Sequence, residues 1–172
     1  MMEVLVAMLV IGTGALALVM LQMHALRSSA ESAQHAAATL LAQELAELRA
    51  ATLPTSFTSS TPGATDPYLF SFTASRAPPA RADCDLAACS PAAFANAAIA
   101  DWAARLTREL PEARATVCRD IHPMPQDQWS CEEAATAPVV LKLGWRRSAV
   151  AATATPTPTP LRAPLLTLVL GR

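Results

Sequence analysis

Residues 4–21 read VLVAMLVIGTGALALVML, eighteen positions with no charge and no strongly polar side chain. A helix of that length spans ~27 Å, about one hydrocarbon core. The stretch therefore reads as a membrane-spanning helix, and Gln22, His24 and Arg27 mark its exit into water. A cleaved secretory signal needs a basic region ahead of a short apolar run and a small-residue cleavage site behind it. Only Met1, Met2 and Glu3 precede the run and an amphipathic segment follows, so the expectation is a retained anchor.

Beyond the anchor, residues 26–50 are rich in Ala, Leu, Gln and Glu, all good helix formers, with no Gly or Pro before Pro54. One helix over roughly residues 1–50 is expected. Leu26, Ala30, Ala33, Ala37, Leu41, Leu45 and Leu48 recur at spacings of three and four and predict one apolar stripe, with Glu31, Gln34, Gln43, Glu47 and Arg49 on the opposite side. Residues 52–67 (TLPTSFTSSTPGATDP) form a polar connector that should not propagate the helix.

A weak strand signal follows over residues 68–73 (YLFSFT). Residues 90–110 predict a second helix, with Ser90 as N-cap, Pro91 at the first helical position and Pro111 as the stop. Ile99, Trp102, Leu106 and Leu110 line one face, which makes Trp102 a structural core residue. Two stronger strands lie at residues 139–145 (VVLKLGW, ending on Trp145, also taken as core) and 165–170 (LLTLVL). They should pair as an antiparallel hairpin around a Thr-Pro-rich, polyproline-like loop, with a further strand over residues 114–121. The organisation expected is a transmembrane segment over residues 1–25, its amphipathic continuation over 26–53 and a globular head over 54–172.

With 172 residues the chain is long enough for one domain plus an appendage. A net charge of -1 offers no basic field for phosphates, so nucleic acid is excluded as a partner. Four cysteines, Cys84, Cys89, Cys118 and Cys131, all follow the anchor. In an oxidising compartment they allow three disulfide connectivities, of which the two local pairs are preferred. A four-cysteine zinc site is disfavoured because the twelve residues between Cys118 and Cys131 far exceed the two to four usual between paired zinc ligands. His24, His35 and His122 show no metalloprotease or nucleophile spacing, and five glycines do not build a phosphate-cradling loop. Glu132 and Glu133 are adjacent and read as a solvated face. No catalytic residue, metal or cofactor is expected, and the chain reads as a non-enzyme.

Glu3 stands apart, because a carboxylate at the head of an apolar span is costly to bury and is usually paired or functional. The stretch EVLVAMLVIGTGALALVMLQMHALRSSAESAQHAAATLLAQELAELR resembles the N-terminal helix of type IV pilins, in particular the minor pilin family called PilV. CDLAACS, the Asp101-Trp102 pair, Leu110-Pro111 and the strand closing on Trp145 resemble that family too, so the resemblance covers most of the chain. It implies that Glu3 is the subunit-assembly carboxylate, pairing with the N-terminal amine of a neighbouring subunit. In the family a short basic leader ending in Gly precedes the mature helix. Met1 and Met2 occupy the third and fourth mature positions, and the expectation is that the natural start lies upstream.

The fold class expected is α+β and pilin-like, a long N-terminal helix packed on a small antiparallel sheet. The resemblance implies a minor pilin, a single-pass inner-membrane protein with a periplasmic head that later joins a surface pilus. Its partners would be other major and minor pilins, membrane lipid, the inner-membrane assembly platform and, given an upstream leader, a prepilin peptidase. The alternatives are a pseudopilin of type II secretion and a membrane-anchored periplasmic binding or enzyme domain. The latter needs a polar pocket for which residues 68–172 offer no obvious set.

Overall fold

Helix formers without an interior proline carry the chain from its apolar start far past the membrane run, and in a computed structural model they form one helix, α1 (Met2–Ser56). The structure describes residues 2–56, 66–76, 84, 88–123, 128–146 and 163–171. After α1 come β1 (Ser71–Thr73), α2 (Pro91–Glu109), β2 (Arg114–Arg119), β3 (Val139–Gly144) and β4 (Leu166–Gly171). The architecture is α+β. The chain resolves into two compact units, Met1–His35 and Ala36–Arg172.

The first unit is helix alone. Residues 2–33 are exposed along their whole length, including fifteen or so large apolar side chains from Met2 to Leu26. An 18-residue window has a mean hydropathy of 2.7 and none of it is buried within the chain. By length and composition it can cross a membrane. Thr13, the one hydroxyl in the run, donates to the carbonyls of Leu9 (3.0 Å) and Val10 (3.1 Å), so its polar group is satisfied inside the helix.

In the second unit the four strands form an antiparallel meander in the order β1-β2-β3-β4. Alternation along the strands puts Phe72, Ala115, Val117, Val139, Leu141, Leu143 and Leu170 on an inner face. That face shares one core with Ala38, Leu41, Ala42 and Leu45 of α1 and with Ile99, Trp102, Ala103, Leu106 and Leu110 around α2. Helix α2 begins as its sequence dictates, the Ser90 hydroxyl accepting from Ala93 N–H at 3.2 Å with Pro91 behind it. Trp102 is fully buried, its indole N–H donating to the Leu41 carbonyl at 2.8 Å and its ring meeting Phe70 edge-on at 6.0 Å. Trp145 is also buried in this core.

Several expectations need correction. Helix α1 runs to Ser56, past Pro54 and into the presumed connector. Pro54 lacks an N–H but its fixed φ suits a helix, so in the last turn it removes one hydrogen bond without ending the element. The apolar stripe is shorter than its spacing implied: Leu26, Ala30 and Ala33 are exposed, Ala37 and Leu48 half-buried, and the buried positions are Ala38, Leu41, Ala42, Leu45 and Arg49. Arg49 thus lies on the buried side, where an acidic partner neutralises it. Only residues 71–73 of the 68–73 segment are strand, because Asp66 turns the chain there: its side chain and carbonyl accept from the N–H groups of Tyr68 (2.9 Å) and Leu69 (3.1 Å). The Thr-Pro loop lies outside the described residues, as does most of the connector; the antiparallel pairing of the strands flanking the loop is observed.

Trp102 combines a large buried area with a hydrogen bond to α1, so its truncation tests the helix pairing. Trp102→Ala should cost about 3–5 kcal/mol of head stability and Trp102→Phe about 1–3 kcal/mol, read by denaturant unfolding of the detergent-solubilised protein. Wild-type stability in Trp102→Phe would show that the Leu41 hydrogen bond contributes nothing.

Candidate functional site

Glu3 sits in the first turn of α1, where an acidic side chain is favoured by the helix dipole, and it is exposed at the head of the apolar window. Gly12 and Gly14 flank Thr13 within the same helix, and a Cβ added at either would meet nothing within 4 Å. Chemically the apolar stretch offers one carboxylate at its head, a long apolar surface and a patch of small side chains. Such a surface can lie against lipid or other helices.

The cysteines are all in the second unit and pair locally, Cys84 with Cys89 (Cα–Cα 5.4 Å) and Cys118 with Cys131 (6.4 Å). Cys118 sits on the outer face of β2 across from Val140 of β3. Among the described residues Cys118, Asp120 and Cys131 bring three potential metal ligands within 4.8 Å. The two sulfurs are bonded to each other and the carboxylate faces an ammonium, so the donor set is occupied by the protein itself.

Sequence reasoning missed two buried ion pairs. In the first, Arg49 donates from Nε (3.1 Å) and Nη2 (3.0 Å) to Asp66 Oδ2 and from Nη1 to the Leu170 carbonyl (3.3 Å). One guanidinium thereby ties α1 to the returning chain and to the end of β4. Beside it the Tyr68 and Thr52 hydroxyls lie 3.0 Å apart and within hydrogen-bond distance of the Leu48 carbonyl (3.2 and 2.7 Å), a shared cluster that fastens the chain near the end of α1. Burial pushes the Tyr68 phenol up, and the nearby Asp66 carboxylate pushes it further, against the Thr52 hydrogen bond.

The second pair crosses the outer face of the sheet. Lys142 of β3 is fully buried and is the only lysine in a chain whose other twelve basic residues are arginines. Its Nζ lies 2.8 Å from Asp120 Oδ2 and donates to the carbonyls of Ser130 (2.6 Å) and Gln128 (3.4 Å). Asp120 Oδ1 accepts from the N–H groups of His122 (3.1 Å) and Glu132 (3.4 Å). Burial alone would raise this carboxyl, but the bonds from Lys142, His122 and Glu132 outweigh it and hold the group below its ordinary value. Next to the pair, Trp129 lies over Gly144, where an added Cβ would meet its ring at 3.0 Å, and the Arg114 guanidinium stacks on the indole 4.2 Å from its centroid. A lone charge amid the apolar residues of VVLKLGW was the available signal, since such a residue on a central strand must find a partner. Glu132 and Glu133 are exposed, Glu132 lying 3.6 Å from the exposed His122.

No protein-family model, characterised protein or solved structure matches the chain. The α+β layout, the exposed apolar helix and the disulfides stand on the geometry alone.

Lys142→Met leaves Asp120 buried without its cation and should cost about 3–5 kcal/mol, whereas Lys142→Met with Asp120→Leu should cost less than the single change. The wild-type pair also predicts an acid limb. Because the folded Asp120 value is depressed, its contribution is complete above the unfolded value of about 4 and is lost as pH falls through the folded one. Unfolding followed from pH 7 to 2 should therefore show a shallower acid limb in Asp120→Asn, and an unchanged slope would remove Asp120 from the acid response.

Proposed function

We propose that this chain is a minor pilin: a membrane-anchored subunit that enters a type IV pilus, or the complex that initiates one, through its N-terminal helix. The observation carrying the reading is Glu3 in the first turn of a helix that is exposed, apolar for one bilayer's thickness and continuous in backbone with a helix built into a disulfide-bonded α+β head. A plain anchor needs no carboxylate there, and a soluble domain needs no exposed apolar helix. A filament subunit needs both. The apolar surface is stored in lipid before assembly and against neighbouring helices afterwards. Within such a bundle the carboxylate pairs with the N-terminal amine of the next subunit, an attraction that strengthens as water is excluded.

The small side chains around Thr13 suit the same purpose, since helices in a low-dielectric medium associate by close packing rather than by hydrophobic burial. The oxidised cysteines fit a head held outside the cytoplasm. Before assembly the chain would stand in the inner membrane with its head in the periplasm, contacting the assembly platform, and other pilins thereafter.

Glu3→Ala should leave membrane insertion intact, because it removes a charge from the span, and should lower the subunit's content in sheared pili severalfold. Carbonate extraction of membranes and immunoblotting of the pilus fraction check the two halves. Wild-type subunit content in the mutant's pili would overturn the reading.

A further inference from the structure

The Cys118–Cys131 disulfide and the Lys142 ion pair hold the same piece of chain. Asp120 follows Cys118 by two residues, and the Ser130 carbonyl that Lys142 grips immediately precedes Cys131. A single ammonium thus joins the two ends that the disulfide also joins. Residues 128–137 are held to the sheet through polar or local contacts: the Lys142 bonds, Ile121 N–H to the Glu132 carbonyl (3.1 Å), Arg119 to the Ala135 and Ala137 carbonyls (3.4 and 3.3 Å), and Trp129 over Gly144. The apolar core is made by α1, α2 and the inner sheet face, and residues 128–137 take no part in it.

We propose that the disulfide and the Lys142 pair form one redox latch, so that cleaving the Cys118–Cys131 bond releases residues 128–137 from the outer sheet face and uncovers the chain's only lysine while the inner core stays folded. Lys142 is here a positioning residue for the disulfide. Two constraints on one segment reinforce each other, and by linkage the gain is reciprocal: the ion pair raises the effective concentration of the two thiols as much as the disulfide favours the ion pair. Reduction by a trialkylphosphine balances simply. The Sγ–Sγ bond breaks, each sulfur takes a proton, and phosphorus is oxidised to the phosphine oxide with oxygen from water.

The single lysine makes the test clean. The full chain in detergent micelles is treated with an N-hydroxysuccinimide acetate ester with and without the phosphine, and acetylation of Lys142 is followed by peptide mass mapping beside amide hydrogen exchange of β3. Reduction should speed acetylation of Lys142 by about tenfold or more while the β3 amides keep their protection. Cys118→Ser with Cys131→Ser should label at the reduced rate without phosphine, which separates this disulfide from Cys84–Cys89. Reciprocally, Lys142→Met should lower the effective concentration of Cys118 and Cys131 against glutathione by about the same factor. Lys142 remaining protected after reduction, β3 losing protection together with it, or an unchanged thiol equilibrium in Lys142→Met would each overturn the latch.

Discussion

One uninterrupted backbone helix carries two kinds of surface in this molecule, apolar all round at its start and apolar on one side where it meets the core. Over the first turns α1 is apolar on all sides, which suits a medium where the backbone must satisfy itself and side chains need only avoid charge. From Ala38 onward a single side is apolar and small. Alanines at positions 38 and 42 on α1 and 95 and 103 on α2 are fully buried, and the long Trp102 side chain reaches across from α2 to the Leu41 carbonyl of α1. Arg105 and Glu44, paired three residues further along each helix, show that α2 runs parallel to α1. Alanine covers little area, so burial is concentrated in Trp102, Tyr68 and a few leucines, and these few contacts align helix pair and sheet.

What the sequence made legible follows from how local the signals are. Helix α2 was readable nearly to the residue because Ser90, Pro91 and Pro111 are local punctuation and Ile99, Trp102, Leu106 and Leu110 keep helical period. Strands β2, β3 and β4 fell where β-branched and leucine-rich runs predicted them. The 68–73 strand is shortened to Ser71–Thr73 because Asp66 turns the chain by hydrogen bonds that a propensity reading does not weigh. The stripe on α1 is covered only in its later part, from Ala37 to Leu48, for a longer-range reason. Burial there depends on where α2 and the sheet begin to cover the helix, and that is decided by contacts sixty residues away, such as Trp102 with Leu41. Glu3 and the cysteines were visible as residue types in a pattern, whereas Asp66, Asp120 and Lys142 acquire meaning only when distant segments meet.

Burying an ion pair is a weak source of net stability, because desolvation of both charges offsets most of their attraction. The two pairs here are better understood as selectors of arrangement. Each connects segments that apolar packing alone would leave ambiguous: Arg49 reads the ends of α1 and β4 together through Asp66 and the Leu170 carbonyl, and Lys142 fixes residues 128–137 over a sheet face that has little apolar side chain of its own. A misregistered β4 would leave the guanidinium with an unused donor, and a displaced segment would leave a buried charge. The penalties fall on the wrong structures, which sharpens the native one.

The choice of cation at each place follows from its geometry. Arg49 must span a carboxylate on one side and a strand carbonyl on the other, and a planar fork with fixed donor directions does this. At position 142 the acceptors are a carboxylate oxygen and two backbone carbonyls from Gln128 and Ser130, disposed around one point. A compact ammonium with three donors matches that set, whereas the five donors of a planar guanidinium would be left partly unmet. In a chain that uses arginine for every other basic position, the single lysine therefore marks the place where three acceptors from two different segments must be drawn to one atom. That same convergence sets Cys118 and Cys131 side by side, and the ionic and covalent ties belong to one piece of local architecture.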